Sequence, residues 1–276
     1  MNSKPMQIDV DNVLRERLPK HYKRIPRFAI RWLERIICQD RLNVILQKMA
    51  GKDGVSAATA ALDEMDITME VSGLDNLPDG RFIYVSNHPL GGLDGLGLIS
   101  LLGNRYDHSI RFMVNDLLMA VEPLRDVFLP VNLYGRQSRG TAAEVNEALA
   151  GGCQLISFPA GLCSRRQPDG TIADLPWHKT VVSQAINYKR DIVPIYVDEC
   201  NSPFFYRIAH WRKKLGFKFN IELILLPKEM LKKSGSALHV RVGEPIAWNS
   251  LDATAPKQEA ARLREIVYSM ATKPIS

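Results

Sequence analysis

His88 is the residue with the most chemistry within reach. It ends a β-rich run, Phe82-Ile83-Tyr84-Val85-Ser86-Asn87, and is followed by a turn dense in proline and glycine, Pro89-Leu90-Gly91-Gly92. Asp94 then opens the next apolar stretch, Leu96 to Leu102. The pattern predicts a strand delivering an imidazole to its C-terminal edge, a tight loop, and a helix that begins at a carboxylate. Positions 88 and 94 are too far apart to sit side by side on a regular helix. The turn can close that distance, because glycine admits the backbone angles needed to fold the loop back. An imidazole steered by Asp94 is a base able to take a proton from a hydroxyl. The same residues also have a plainer reading, with Asp94 as a helix N-cap and His88 as a hydrogen-bonded loop histidine. The run Gly92-Leu93-Asp94-Gly95-Leu96-Gly97 lacks the glycine spacing of a dinucleotide loop.

A second apolar run, Gln154 to Phe158, leads into Pro159-Ala160-Gly161-Leu162-Cys163-Ser164-Arg165-Arg166. A third, Ile192 to Val197, contains Val193-Pro194-Ile195-Tyr196. Cys163 is a nucleophile by type, but nothing local signals an activated thiol. His178, beside Trp177, either lines a pocket or stands at the start of a surface helix. Asn115-Asp116 reads as a cap.

The elements that must position these residues alternate. Strands are expected near 67–71, 82–87, 110–114, 127–133, 154–158, 192–197, 221–226 and 238–242. Helices are expected near 57–65, 96–102, 117–121, 141–150, 177–188, 204–215 and 257–270. Such alternation predicts an α/β fold with an open, largely parallel sheet flanked by helices. Ligands in such sheets sit at the carboxyl ends of strands, where His88 and Pro159-Ala160-Gly161 fall. Pro130 marks its strand as an edge or bent one. Ahead of this α/β domain, 57–276, the first 56 residues read as a helical segment broken at Pro19 and Pro26. Its stretch Pro26–Ile37 interleaves Phe28, Ile30 and Trp32 with Arg27, Arg31 and Arg35. That is either a helix lying on an anionic membrane surface or an amphipathic helix packed on the domain.

Composition narrows the classes. With 46% hydrophobic residues in 276, a sizeable core is possible and wholesale disorder is excluded. The net charge of +6 suits an anionic partner, an acidic lipid surface or an acidic protein. No nucleic-acid motif appears, so nucleic acid is set aside. Cys38, Cys153, Cys163 and Cys200 form no Cys-x-x-Cys pair and no metal-ligand spacing. The polar first residues hold no signal core, and no run reaches the ~20 apolar residues of a spanning helix. The expectation is a cytoplasmic protein peripheral to the inner membrane, without a transmembrane segment. The basic trio Arg212, Lys213 and Lys214 suits an acidic carrier protein, headgroups or simple solvation.

In order along residues 80–200, these motifs resemble the glycerophosphate and lysophosphatidate acyltransferase family. That family has Asn-His, four residues and Asp, then a less regular block ending in Arg, then Phe-Pro-Glu-Gly-Thr-Arg-Ser, then Val-Pro-Ile. Here the second block is matched by Pro130-Val131-Asn132-Leu133-Tyr134-Gly135-Arg136. Three departures are visible: five residues separate His88 from Asp94, Ala160 stands where the family has Glu, and Leu162-Cys163 precede Ser164-Arg165. The missing carboxylate argues against a glycerol-phosphate-type acceptor. The departures are similar to a bacterial, haemolysin-like branch that includes the O-acyltransferases of lyso-ornithine and lyso-glycine lipids.

The resemblance implies O-acyl transfer from acyl-carrier protein or acyl-CoA to the hydroxyl of a lyso-lipid, with the donor as substrate and no cofactor or metal. His88 and Asp94 would be catalytic. Asn87, Gly91, Gly92, Pro159, Ala160, Gly161 and Ser164 would line the substrate site, the two glycine turns offering N–H donors to an oxyanion. Arg136, Arg165 and Arg166 would hold an acidic head, since the guanidinium fork binds carboxylate or phosphate bidentately. Two alternatives stay open: a lysophosphatidate acyltransferase making phosphatidic acid, and a haemolysin-like lipid-binding protein without turnover.

Overall fold

The computed structural model describes residues 7–131, 139–216 and 220–271. Four helices come first: α1 (Val10–Arg17), α2 (Pro19–Tyr22), α3 (Arg27–Ile36) and α4 (Gln39–Met49). Asp9 caps α1, its carboxylate accepting the Asn12 N–H at 2.9 Å. Pro19 opens α2 and Pro26 precedes α3, positions that need no N–H. On α3 the side chains of Phe28 and Trp32 are exposed, beside exposed Arg27, Arg31 and Arg35. By contrast, α4 turns inward. Ile45, Leu46 and Met49 share one core with Val55, Ala58 and Leu62 of α5 (Gly54–Glu64). Buried Asn43 pins the chain ahead of α1 by bonding both main-chain groups of Ile8, at 2.8 and 2.9 Å.

The chain then alternates through β1 (Thr68–Ser72), β2 (Phe82–Ser86), α6 (Gly92–Arg105), β3 (Ile110–Asn115), β4 (Phe128–Val131), α7 (Arg139–Ala150) and β5 (Gln154–Ser157). A small antiparallel hairpin follows, β6 (Arg165–Arg166) with β7 (Ile172–Ala173), then α8 (Thr180–Tyr188) and β8 (Asp191–Val197). The rest is α9 (Pro203–Lys214), α10 (Leu226–Leu231), β9 (Ala237–Val242) and α11 (Pro256–Ser269). Seven strands form one sheet in the order β1-β9-β8-β2-β5-β3-β4. All its pairings are parallel except β8 with β9. The expected open, largely parallel sheet flanked by helices is what forms.

Strand β2 is apolar throughout because both its faces are covered. Ile83 and Val85 join the core under α8 and α11, whereas Tyr84 joins the core under α5 and α6. Pro130 lies on β4, the edge strand, as a residue without an N–H should. Residues 221–226, expected as a strand, instead form a 3₁₀ turn (Ile221–Leu225) running into α10. A short apolar run does not by itself distinguish strand from helix, and here Pro227 in the first turn of α10 favours the helix. Among the described residues no helix is long and apolar enough to cross a membrane.

Candidate active site

Where β2 ends, Asn87 continues its pairing by side chain. Its Oδ1 accepts the Val197 N–H at 2.7 Å and its Nδ2 donates to the Val197 carbonyl at 2.9 Å. The amide thus bridges β2 and β8 just as the main chain turns away, and it is buried rather than facing a ligand. His88 comes next, at the carboxyl edge of the sheet.

The loop folds back as the spacing required. Asp94 Oδ2 lies 3.0 Å from His88 Nδ1 and also accepts the N–H groups of Leu90 (2.9 Å) and Gly91 (3.3 Å), while Oδ1 accepts that of Gly95 at 2.9 Å. The N-cap of α6 is Gly91 rather than Asp94, which sits at the third helical position, closes the entry turn from there and orients the ring. Gly91 makes this possible. Its φ is +88°, and an added Cβ would stand 3.0 Å from Leu226 and 3.2 Å from Cys163 Sγ.

With Nδ1 held by a carboxylate, the favoured tautomer carries its proton there and leaves Nε2 as the acceptor. Phe158 stacks on the imidazole at 4.0 Å and 18°, and Phe112 packs edge-on against Phe158 at 5.2 Å, so the ring plane is fixed. Burial alone would lower the basicity of His88. The Asp94 carboxylate and the Cys163 sulfur outweigh it and hold the ring well above the usual histidine range.

A second carboxylate, which no motif signalled, holds the same residue from behind. Asp174 is buried between the β6–β7 hairpin and Trp177. Its Oδ1 accepts the His88 backbone N–H at 3.2 Å and the Ser164 hydroxyl at 2.6 Å, and its Oδ2 accepts the Trp177 indole N–H at 2.9 Å. Burial pushes its carboxyl up, and these three donors restrain the rise. Ser164 also donates its N–H to the His88 carbonyl at 2.7 Å. Both main-chain groups of His88 are thus tied to the segment 164–174.

His88 opens onto a cavity of about 750 Å³, within the usual range for small-molecule sites. Gly91, Gly92, Pro159, Gly161 and Cys163 surround the imidazole, and His178 also lines the space. Apart from these and from Asn115, Ser157, Thr180 and Gln184, its walls are apolar, with Leu42, Ile45, Leu46 and Met49 supplied by α4. Two of the expected oxyanion amides are already engaged: Gly91 N–H at Asp94, and Gly161 N–H at the Phe158 carbonyl (2.9 Å). Gly92, the first residue of α6, lines the cavity. Ala160 packs into the core with Trp177 and Tyr196 and is not part of the cavity wall.

The arginines separate. Arg165 donates to the Cys163 carbonyl at 2.9 Å, lies 5.5 Å over the Phe205 ring, and pairs with Glu222 at 3.1 Å. Glu222, fully buried, also pairs with Arg212 at 2.9 Å. The Arg165 fork is therefore occupied by the protein itself. Arg166 is exposed and lines a separate basic groove of about 950 Å³ between the hairpin and α9. Arg136 lies outside the described residues.

Comparison with known proteins bears on the motif order directly. A family model described as Acyltransferase matches residues 12–273. The chain belongs to this acyltransferase family. A lyso-glycine lipid O-acyltransferase of Bacteroides thetaiotaomicron is 43% identical to this acyltransferase over 265 residues, covering 95% of this chain and 97% of the relative. A lyso-glycine lipid O-acyltransferase of Phocaeicola vulgatus is likewise 43% identical over 265 residues, 95% of each chain. Among solved structures, the 1-acyl-sn-glycerophosphate (LPA) acyltransferase PlsC of Thermotoga maritima aligns with TM-score 0.47 and 17% identity, covering 84% of this chain and 89% of that one.

Proposed function

We propose that this acyltransferase moves a fatty acyl group from a thioester donor, acyl-carrier protein or acyl-CoA, to the hydroxyl of a lyso-amino-acid lipid, specifically a lyso-glycine lipid. The observation that carries the chemistry is the 3.0 Å contact of His88 Nδ1 with Asp94 at an apolar cavity. The acceptor follows from the printed activity of relatives that match almost the whole chain.

The reaction needs little more than a base and a mould. The acceptor hydroxyl attacks the thioester carbonyl while His88 Nε2 takes its proton, and Asp94 stabilises the imidazolium that forms. The tetrahedral oxyanion is offset by the positive end of α6 at Gly92. The intermediate then collapses, the C–S bond breaks, and the departing thiolate takes the proton from His88. An ester and a free thiol result, with no cofactor. A positioned base of this kind contributes roughly 10²–10⁴-fold. The remainder comes from holding two amphiphiles together in a dry cavity. The natural setting for such a substrate is the cytoplasmic face of a membrane, with the protein peripheral to it.

The test is to incubate the purified protein with acyl-carrier protein or acyl-CoA and, separately, lyso-glycine lipid, lyso-ornithine lipid and lysophosphatidate, identifying products by mass. Diacylated glycine lipid formed by the wild type and lost in His88→Ala is the expected result. Phosphatidate as the preferred product would overturn the acceptor. Turnover unchanged in His88→Ala would overturn the mechanism, and no turnover with any acceptor would leave only a lipid-binding role.

A further inference from the structure

Helix α9 carries large apolar residues on its outer side as well as its inner one. Phe205, Tyr206 and Ala209 face inward and are buried, which accounts for its packing. Phe204, Trp211 and Leu215 are spaced to form one stripe at about 3.6 residues per turn. They point outward, 48%, 54% and 66% exposed. The adjoining turn Ile221–Leu225 adds Ile221 and Ile224, also exposed. A cluster of this kind marks a contact surface rather than scattered surface residues.

Two further features say what the contact is with. Arg207 and Lys214, a heptad apart, run along one side of the stripe, and Lys214 Nζ lies 5.1 Å from the centre of the Trp211 ring. Arg166 and Lys213 extend the positive surface along the groove of about 950 Å³. Asp169, the acidic residue lining that groove, has its Oδ1 occupied by Thr171. The second feature is position. The Ile221–Leu225 turn also sends Leu223 into the cavity that holds His88, and Leu162 lines both the cavity and the groove. The exposed stripe therefore borders the catalytic space.

We infer that this face of α9 and the following turn seats on an anionic bilayer, its apolar stripe at the acyl boundary and its cations on lipid phosphates, so that the catalytic cavity opens toward the leaflet. Cations flanking large apolar side chains, with a tryptophan among them, match an interfacial element. A second copy of this chain would set two positive faces against each other in a two-fold contact. An acidic protein would answer the cations and leave the stripe without a partner. The inference rests on the lipid-acceptor reading for why the cavity needs a leaflet, whereas the docking is measured without turnover.

In a Trp32→Phe chain, bound to phosphatidylglycerol-containing vesicles with brominated acyl chains, Trp211 fluorescence is expected to be quenched, and adding Trp211→Phe should remove that quenching. Trp211→Ser with Leu215→Ser should weaken vesicle partition at least about tenfold, because affinity scales with apolar area inserted. Arg207→Gln with Lys214→Gln should erase the preference for anionic over pure phosphatidylcholine vesicles. All of these side chains lie outside the catalytic cavity, so His88-dependent acylation of a detergent-dispersed acceptor should persist in each variant. Unquenched Trp211, or unchanged partition in the double serine variant, overturns the inference. So does loss of acyl-carrier-protein-dependent rate without loss of vesicle binding. Normal docking with no turnover in the wild type would instead sink the functional reading and leave the docking standing.

Discussion

Asp94 and Asp174 are both sealed from solvent and both hold His88, yet they serve different ends. Asp94 meets the ring, and its other partners are the amides of its own turn. Asp174 meets the main chain, and its other partners are a hydroxyl and an indole of its own stretch of chain, distant in sequence from His88. In the proposed mechanism the first sets the proton inventory of the base, and the second sets where the base stands. Removing charge from the two should therefore cost stability in both cases, with a large change in rate and pH profile only at Asp94.

The largest expected effect on rate is from Asp94→Asn. The amide oxygen can still accept from Nδ1–H, but the charge that stabilises the imidazolium is gone, and the amide NH₂ must turn toward at least one of the four donors, the Gly95 N–H being the one on the other oxygen. We expect kcat to fall about 10²–10³-fold, with about 1–3 kcal/mol of stability lost alongside it. If activity stayed at wild-type level, the division between the two aspartates would be void.

Asp174→Asn should cost stability with much less loss of rate. Three donors converge on this carboxylate, so an amide must turn its NH₂ toward at least one of them. A buried donor left without an acceptor costs about 1–3 kcal/mol, which urea unfolding will register, and kcat should fall only about tenfold as the loop relaxes. A loss of rate equal to that of Asp94→Asn would show that both carboxylates act on the ring.

The pH profile sharpens the comparison further. Below its raised pKa the His88 ring is protonated and cannot take the hydroxyl proton. The profile of kcat/KM should therefore rise with pH to a midpoint above 6.5. The same shift makes the imidazolium stabilising: its contribution is complete below the unfolded value and is lost as pH rises through the folded one. In Asp94→Asn the midpoint should move down, because the carboxylate that raises it is removed. In Asp174→Asn it should move little.

The smallest effect belongs to Ser164→Ala, which takes one donor from Asp174 and leaves the others. About 1 kcal/mol of stability and under about threefold in rate are expected.

The asymmetry between the two carboxylates also explains what the sequence could and could not disclose. Asp94 was legible because its partner lies on the same strand–turn–helix unit, where spacing and glycine chemistry confine the geometry. Asp174 is 86 positions from His88, and only the packing of the small hairpin against the sheet edge brings them together. The same limit applies to Arg165. Its type suggested an anion-binding fork, but the carboxylate that takes it, Glu222, comes from a segment read as a strand. Helix α6, expected over Leu96–Leu102, begins at Gly92 because the Asp94 carboxylate gathers the amides of its entry turn. The alternation of apolar runs carried the sheet. The antiparallel placement of β9 beside β8 lay beyond it, since a strand's direction is not written in its apolar pattern.

The inward turn of α4 gives the first fifty residues a second kind of importance. Leu42, Ile45, Leu46 and Met49 are part of the wall along which hydrocarbon would lie. Trimming the chain back to α5 would strip one side from that cavity. It would unroof a greasy chamber and let water flood the space proposed for a fatty tail.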